Sequence, residues 1–204
     1  MQILRNHWYD LGGFLAVITS IYLVLNFYDF TYYKSVVYIN LISLFLHQLE
    51  KFRIVGTYPE MVNRTLFESD IPDRYPLNTQ TALINNIGIG WLFYVGAAVL
   101  AESAIWLGIA TIVLSFGSFI AHVFFFNIKG GTFFNAGMIT SILQYLPVTV
   151  VFFWIVIDQD YASLPDYLIG IPLGVLLIFL YYLKMTDWLK DRDTTFIFPV
   201  RNIV

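Results

Sequence analysis

Apolar residues along this chain gather into six long runs rather than alternating. The runs span about residues 11–28, 33–50, 81–100, 104–126, 136–157 and 164–183. Each is long enough, or nearly so, to cross a hydrocarbon layer as a helix. Between the third and fourth only Ala101, Glu102 and Ser103 intervene, which predicts an antiparallel hairpin. Gly130 and Gly131 mark a turn within 127–135. The one extended polar stretch, 51–79, reads as an interfacial segment. Within it 59–67 suits a short helix with Pro59 in its first turn and an apolar side of Met61, Val62 and Leu66. The prolines at 72 and 76 favour an extended connector.

The expected fold is therefore all-α, a single polytopic transmembrane helical bundle. Composition agrees: 58% of the residues are hydrophobic and 12% charged, with a mean hydropathy of +0.71. A water-soluble domain of this size lacks the interior to hide so much apolar surface. Charge then sets an orientation. Six spans put Arg5, Lys51, Arg53, Arg64, Arg74, Lys129, Lys184, Lys190, Arg192 and Arg201 on one side and Lys34 alone on the other. Basic residues near span ends stay cytoplasmic, so both termini are expected inside, in a multi-pass cell (plasma) membrane protein. The basic residues form no stripe suited to nucleic acid. The expected partners are membrane lipids; oligomeric state is not legible. Cysteine is absent, which excludes disulfides and thiolate chemistry.

Polar residues inside the spans follow helical rhythm. Asn40, Ser43, His47 and Glu50 are spaced 3, 4 and 3 on the second span, and Thr111, Ser115, Ser118 and His122 are spaced 4, 3 and 4 on the fourth. At 3.6 residues per turn each set forms one stripe. Weaker stripes are Thr81, Asn85, Gly88 and Gly137, Ser141, Gln144, and Gly170-x-x-x-Gly174 suits close helix contact. The Ser, Thr and Gly positions read as helix-packing groups. His47, Glu50 and His122 differ, because a His and a Glu at i, i+3 facing another His can bind a divalent metal such as Zn, Fe or Mn. Glu50 can equally act as a general base beside neutral imidazoles, and the plainer alternative is a buried His–Glu hydrogen bond that fixes packing.

The run Leu46-His47-Gln48-Leu49-Glu50-Lys51-Phe52 resembles the bacterial integral membrane family named for its His-x-x-Glu-Glu signature. So do Tyr58-Pro59-Glu60-Met61-Val62-Asn63, Pro72-Asp73-Arg74-Tyr75-Pro76-Leu77-Asn78, Ile120-Ala121-His122, Asn127-Ile128-Lys129-Gly130 and Asn135-Ala136-Gly137-Met138. The resemblance implies an integral membrane protein of enzymatic character with His47 and Glu50 in the motif. Lys51 stands where the motif has its second Glu, replacing a ligand or base by a cation that pairs with Glu50 or Asp73.

The expected function is a membrane-embedded, metal-assisted hydrolase or transferase acting on a lipid or lipid-like substrate at the cytoplasmic interface. Its catalytic and metal-binding residues are His47, Glu50 and His122. Arg74 and Lys129 would hold an anionic group, with headgroup anchoring as their alternative role, and Asp73, Asn78 and Asn127 would orient. The alternatives are a non-catalytic interaction or assembly factor, or a small transporter. The last is disfavoured because no Asp, Glu, Lys or Arg lies mid-span.

Overall fold

A computed structural model describes residues 2–203. Among them the secondary structure is helical with no strand. The long helices are α1 (Gln2–Leu25), α2 (Tyr32–Leu49), α4 (Thr79–Val99), α5 (Ile105–Gly130), α6 (Met138–Asp158) and α7 (Leu164–Trp188). The short α3 (Tyr58–Met61) has proline in its first turn, as expected.

Five helices, all the long ones but α2, are long and apolar enough to cross a membrane. The exception has a physical cause. α2 touches α1, α4, α5 and α6, and two stretches of its length from Tyr33 to Gln48 are buried almost without a break. A helix wrapped by protein needs no apolar exterior, so α2 carries Asn40, Ser43, His47 and Gln48 in the middle of the bundle. The peripheral helices instead expose Val24, Leu92, Leu143, Trp154, Ile157 and Leu168.

The glycine pair on α7 lies where close packing requires it. A Cβ on Gly170 would come within 2.6 Å of the Trp106 carbonyl oxygen, and one on Gly174 within 2.6 Å of Val113 Cβ. Only hydrogen in place of a side chain lets α7 sit this close to α5.

The segment expected at the interface is folded against the end of the bundle. α2 runs on through a π-helical turn (Glu50–Ile54), and α3 runs on through another (Val62–Leu66). Tyr58, Pro59, Glu60, Val62 and Asn63 are buried. Asn63 clamps the proline connector: its amide donates to the carbonyls of Pro72 and Leu77, both at 2.8 Å, and its oxygen accepts from Leu77 N at 2.9 Å. The C-terminal tail lies across the same end. Phe198 N donates to Asp73 O at 2.9 Å, Asn202 donates to Gly56 O at 2.6 Å, and Arg201 bonds Tyr9 near the start of α1. Both termini, the connector and the α5–α6 loop thus share one end of the bundle, while Lys34 and Glu102 approach at 3.9 Å near the other.

Candidate functional site

The two polar stripes meet face to face. Asn40 accepts from Ser115 Oγ at 2.8 Å and donates to Thr111 Oγ1 at 3.4 Å. Two turns further along, the His47 and His122 rings stand edge to face with centroids 4.9 Å apart. Both imidazoles are buried, His47 at 2% and His122 at 0% exposure. Tyr145 flanks His47 at 4.8 Å, while Phe126 and Tyr58 flank His122 at 5.3 and 5.7 Å.

Each ring is held by its Nδ1. For His122 the partner is Asn135 Oδ1 at 2.7 Å. The Asn135 amide donates to His122 O at 2.6 Å and to Asn127 Oδ1 at 2.7 Å, which fixes which end of the side chain is oxygen. For His47 the partner is Thr140 Oγ1 at 2.8 Å. That hydroxyl gives its proton to Glu50 Oε2 at 2.5 Å, so it can only accept from the ring. Both imidazoles accordingly carry their proton on Nδ1 and present a bare Nε2. Neither Nε2 has a hydrogen-bond partner, although both are buried. Leaving a buried acceptor unpaired costs about 1–3 kcal/mol, so this arrangement works against stability.

Glu50 is oriented differently from expectation. Its Oε1 accepts from Gly137 N at 3.0 Å and Ile139 N at 3.1 Å; its Oε2 accepts from Thr140 N at 2.8 Å as well as from the Thr140 hydroxyl. These are the free amides at the start of α6, whose N-cap position is Gly137, a residue with no side chain to cap with. A carboxylate from α2 fills that role and meets the positive end of the helix. Gly137 is required here twice over: its φ is +107°, and a Cβ would come within 2.5 Å of His122 Cε1.

His47, Glu50 and His122 therefore lie together, but not as a three-ligand metal set. Among the described residues no group of three or more His, Asp or Glu could hold an ion. The reason is that Glu50 spends both oxygens on α6 and Thr140. What the pair offers a metal is two imidazole nitrogens with oxygen-anchored Nδ1 atoms.

Of the remaining expected residues, Asn127 accepts from the Asn135 amide and so adjoins the site at one remove. Asn78 instead caps α4, accepting from Gln80 N at 3.0 Å and Thr81 N at 2.9 Å. Arg74 and Asp73 bind each other through two hydrogen bonds of 3.0 and 2.6 Å, and this holds the Asp73 carboxyl below its usual range. Lys129 approaches Glu68 at 3.2 Å. Neither cation contacts the imidazoles. His7 pairs with Asp10 on an exposed part of α1.

Lys51 is buried, and it pairs with neither Glu50 nor Asp73. Its Nζ donates to Tyr181 Oη at 3.1 Å and sits 3.7 Å from the Tyr58 ring centroid. Tyr181 Oη donates in turn to Asn86 Oδ1 at 2.6 Å. Thr140, Asn135, Tyr58, Tyr145 and Tyr181 all belong to the centre and escaped sequence reasoning. One sequence signal existed for Tyr58, Asn135 and Gly137, which fall in stretches resembling the family.

The six π-helical stretches among the described residues are Glu50–Ile54, Val62–Leu66, Asn85–Trp91, Ala121–Phe125, Ser141–Tyr145 and Leu180–Lys184. Five of them carry groups of this centre or its hydrogen-bond chain: Glu50 and Lys51, Asn86, His122, Tyr145, and Tyr181. A wide turn re-aims side chains within an otherwise regular helix and recurs at functional sites.

A match to the family described as "protein of unknown function with HXXEE motif" covers residues 38–152. That span exceeds half of the chain and contains His47, Glu50, His122, Asn135 and Thr140. The chain belongs to the HXXEE family. No curated protein and no solved structure matches it. In this HXXEE protein the motif histidine is half of the imidazole pair, the first motif glutamate caps α6, and the second is Lys51.

A cleft of about 220 Å³ opens beside the centre, lined by Glu60, Arg64, Thr132, Phe126 and Asn135 among others. Phe126 and Asn135 are the two of these that contact His122. A second, almost wholly apolar groove of about 390 Å³ runs between α5 and α7 and shares Phe126 as a wall.

Proposed function

We propose that this HXXEE protein is a membrane-embedded hydrolase or transferase, with six spans, both termini cytoplasmic, and a lipid or lipid-like substrate. Its centre is the His47–His122 pair. The observation that carries this reading is the pair of buried, partnerless Nε2 atoms on rings whose Nδ1 atoms are fixed. A structural histidine in an apolar interior ordinarily uses both nitrogens, since an idle lone pair only costs stability. Two idle lone pairs on neighbouring rings suit proton removal from a water that reaches them, one imidazole taking a proton and the other accepting a hydrogen bond from the water's second O–H.

The substrate class rests on the two adjoining hollows. A polar head fits the cleft at Arg64 and Asn135, and an acyl or prenyl chain fits the apolar groove beyond Phe126. Topology rests on the basic-residue asymmetry and on the gathering of both termini at one end. α2 is counted as the sixth span because protein, not lipid, surrounds it.

A second reading is favoured by the Nδ1 anchoring, which is how metal-bound histidines are held in place. Here a divalent ion such as Zn, Fe or Mn would sit on the two Nε2 atoms, completed by water and substrate oxygen, with Glu50 outside the shell. Elemental analysis of detergent-purified protein separates the readings, because stoichiometric metal lost in His47→Ala and His122→Ala selects the second.

The test of the enzyme reading is mass-spectrometric comparison of membrane lipids from cells carrying the parent, His47→Gln or His122→Gln. A lipid conversion present with the parent is expected to slow by about 10²-fold or more in each variant at equal levels of folded protein. If no lipid species responds to either histidine, the enzyme reading falls and a non-catalytic assembly role takes its place.

A further inference from the structure

The family signature places two carboxylates after the histidine, and this chain has one carboxylate and one amine there. A surface lysine at such a position would be an unremarkable drift. Lys51, however, is 1% exposed. Among the described residues no carboxylate lies within ion-pair distance of it. Glu50, its neighbour in the chain, is already saturated by α6 and Thr140. The ammonium is held by a hydroxyl and an aromatic face instead: Tyr181 Oη at 3.1 Å and Tyr58 at 3.7 Å. That same Tyr58 ring lies 5.7 Å from the His122 ring. Lys51 and His122 thus share one aromatic wall, with His47 on the far side of His122, in a buried interior where charges act over longer range than at a surface.

Exchanging a motif carboxylate for an ammonium changes the charge of this pocket by two units. Two neutral imidazoles beside carboxylates attract a divalent cation; the same imidazoles beside an ammonium repel it. We propose that Lys51 is the resident cation of this centre, occupying the electrostatic role that a divalent ion would fill beside a carboxylate at the same position. This rests on the reading of His47 and His122 as the functional pair. It selects the metal-independent form of that reading: the positive charge available to an anionic substrate or transition state is an amine built into the chain. It also assigns position 51 as the determinant that separates a metal-free member from a cation-binding one.

The experiment is a Co²⁺ titration of full-length, detergent-purified protein, followed by ligand-field absorption. The parent is expected to show no signal that depends on the histidines. Lys51→Glu is expected to take up a stoichiometric amount of Co²⁺ with an absorption that disappears when His47→Ala or His122→Ala is added. Lys51→Gln keeps a polar group for Tyr181 while removing the charge. It is expected to bind Co²⁺ at least about tenfold more tightly than the parent, so the inference stays testable if Lys51→Glu fails to fold. Histidine-dependent, stoichiometric binding by the parent would overturn the proposal. So would Lys51→Gln that remains monodisperse and binds no better than the parent. Either result leaves the lipid measurement with the histidine variants standing, and that measurement can fail without altering the Co²⁺ outcome.

Discussion

At the scale of single residues, the motif divides its labour in a way that its letters do not disclose. His47 lies in the last turn of α2 and Glu50 opens the π-helical turn that continues it, yet one faces His122 and the other reaches the start of α6. Glu50 is therefore expected to matter for folding more than a catalytic base would. Glu50→Gln replaces one acceptor by a donor that faces backbone N–H groups, and it removes the charge those dipoles stabilise. We predict a loss of about 2–4 kcal/mol in thermal or chemical unfolding of the detergent-solubilised protein. A base with no structural duty would leave unfolding unchanged in this variant. The histidines were legible from their stripes, because a polar group within a span has few places to go other than the bundle interior. Thr140 and Asn135 were not, because a threonine or asparagine near a helix end is common and its partner is chosen by approach of a distant segment.

At the scale of elements, periodicity and length located every long helix, and the errors concern what each one touches. α2, expected as a span like the others, proves to be the shielded centre of the bundle, and the five helices apolar enough by themselves to cross a membrane are the ones around it. The 51–79 segment contains the helix expected near 59–67, and Tyr58, Val62 and Asn63 in it are buried against the rest of the protein. A sequence shows an apolar face without showing whether lipid or protein covers it. The glycine pair on α7 was legible as a contact motif, and its partner α5 was not. We expect Gly174→Leu to cost about 2 kcal/mol or more, seen as a lower unfolding temperature, because the new side chain meets Val113 and the Ala110 carbonyl oxygen, at 2.6 and 2.8 Å from Cβ. An unchanged unfolding temperature would mean that α5 and α7 are not packed at this register.

At the scale of the whole molecule, the tail, the connector, the α5–α6 loop and the head of α1 close one end of the bundle over the imidazole pair. Arg192 bonds Asp70 at 2.7 Å, Lys129 approaches Glu68, and Arg201 bonds Tyr9, so many of the cationic residues counted for orientation also tie these segments together. The natural absence of cysteine makes topology directly measurable with single-cysteine variants. In intact cells, a membrane-impermeant maleimide is expected to label Asp29→Cys. It should reach Lys190→Cys only after the membrane is opened. Labelling of Lys190→Cys from outside would reverse the orientation and place the centre at the other face.

Sequence alone determined the two polar stripes and the number and approximate positions of the long helices, though not the start of α1 at Gln2 or the end of α7 at Trp188. Those features follow from local repeat and from the cost of exposing apolar or charged groups to the wrong solvent, which each segment meets by itself. Tertiary structure alone decided that Glu50 caps a helix, that both Nε2 atoms are left bare, and that Lys51 turns inward onto Tyr58 and Tyr181. Each of these depends on a hydrogen-bond or ring contact between segments far apart in the chain, and a polar side chain in a low-dielectric interior takes whichever partner the packing of other helices brings within reach.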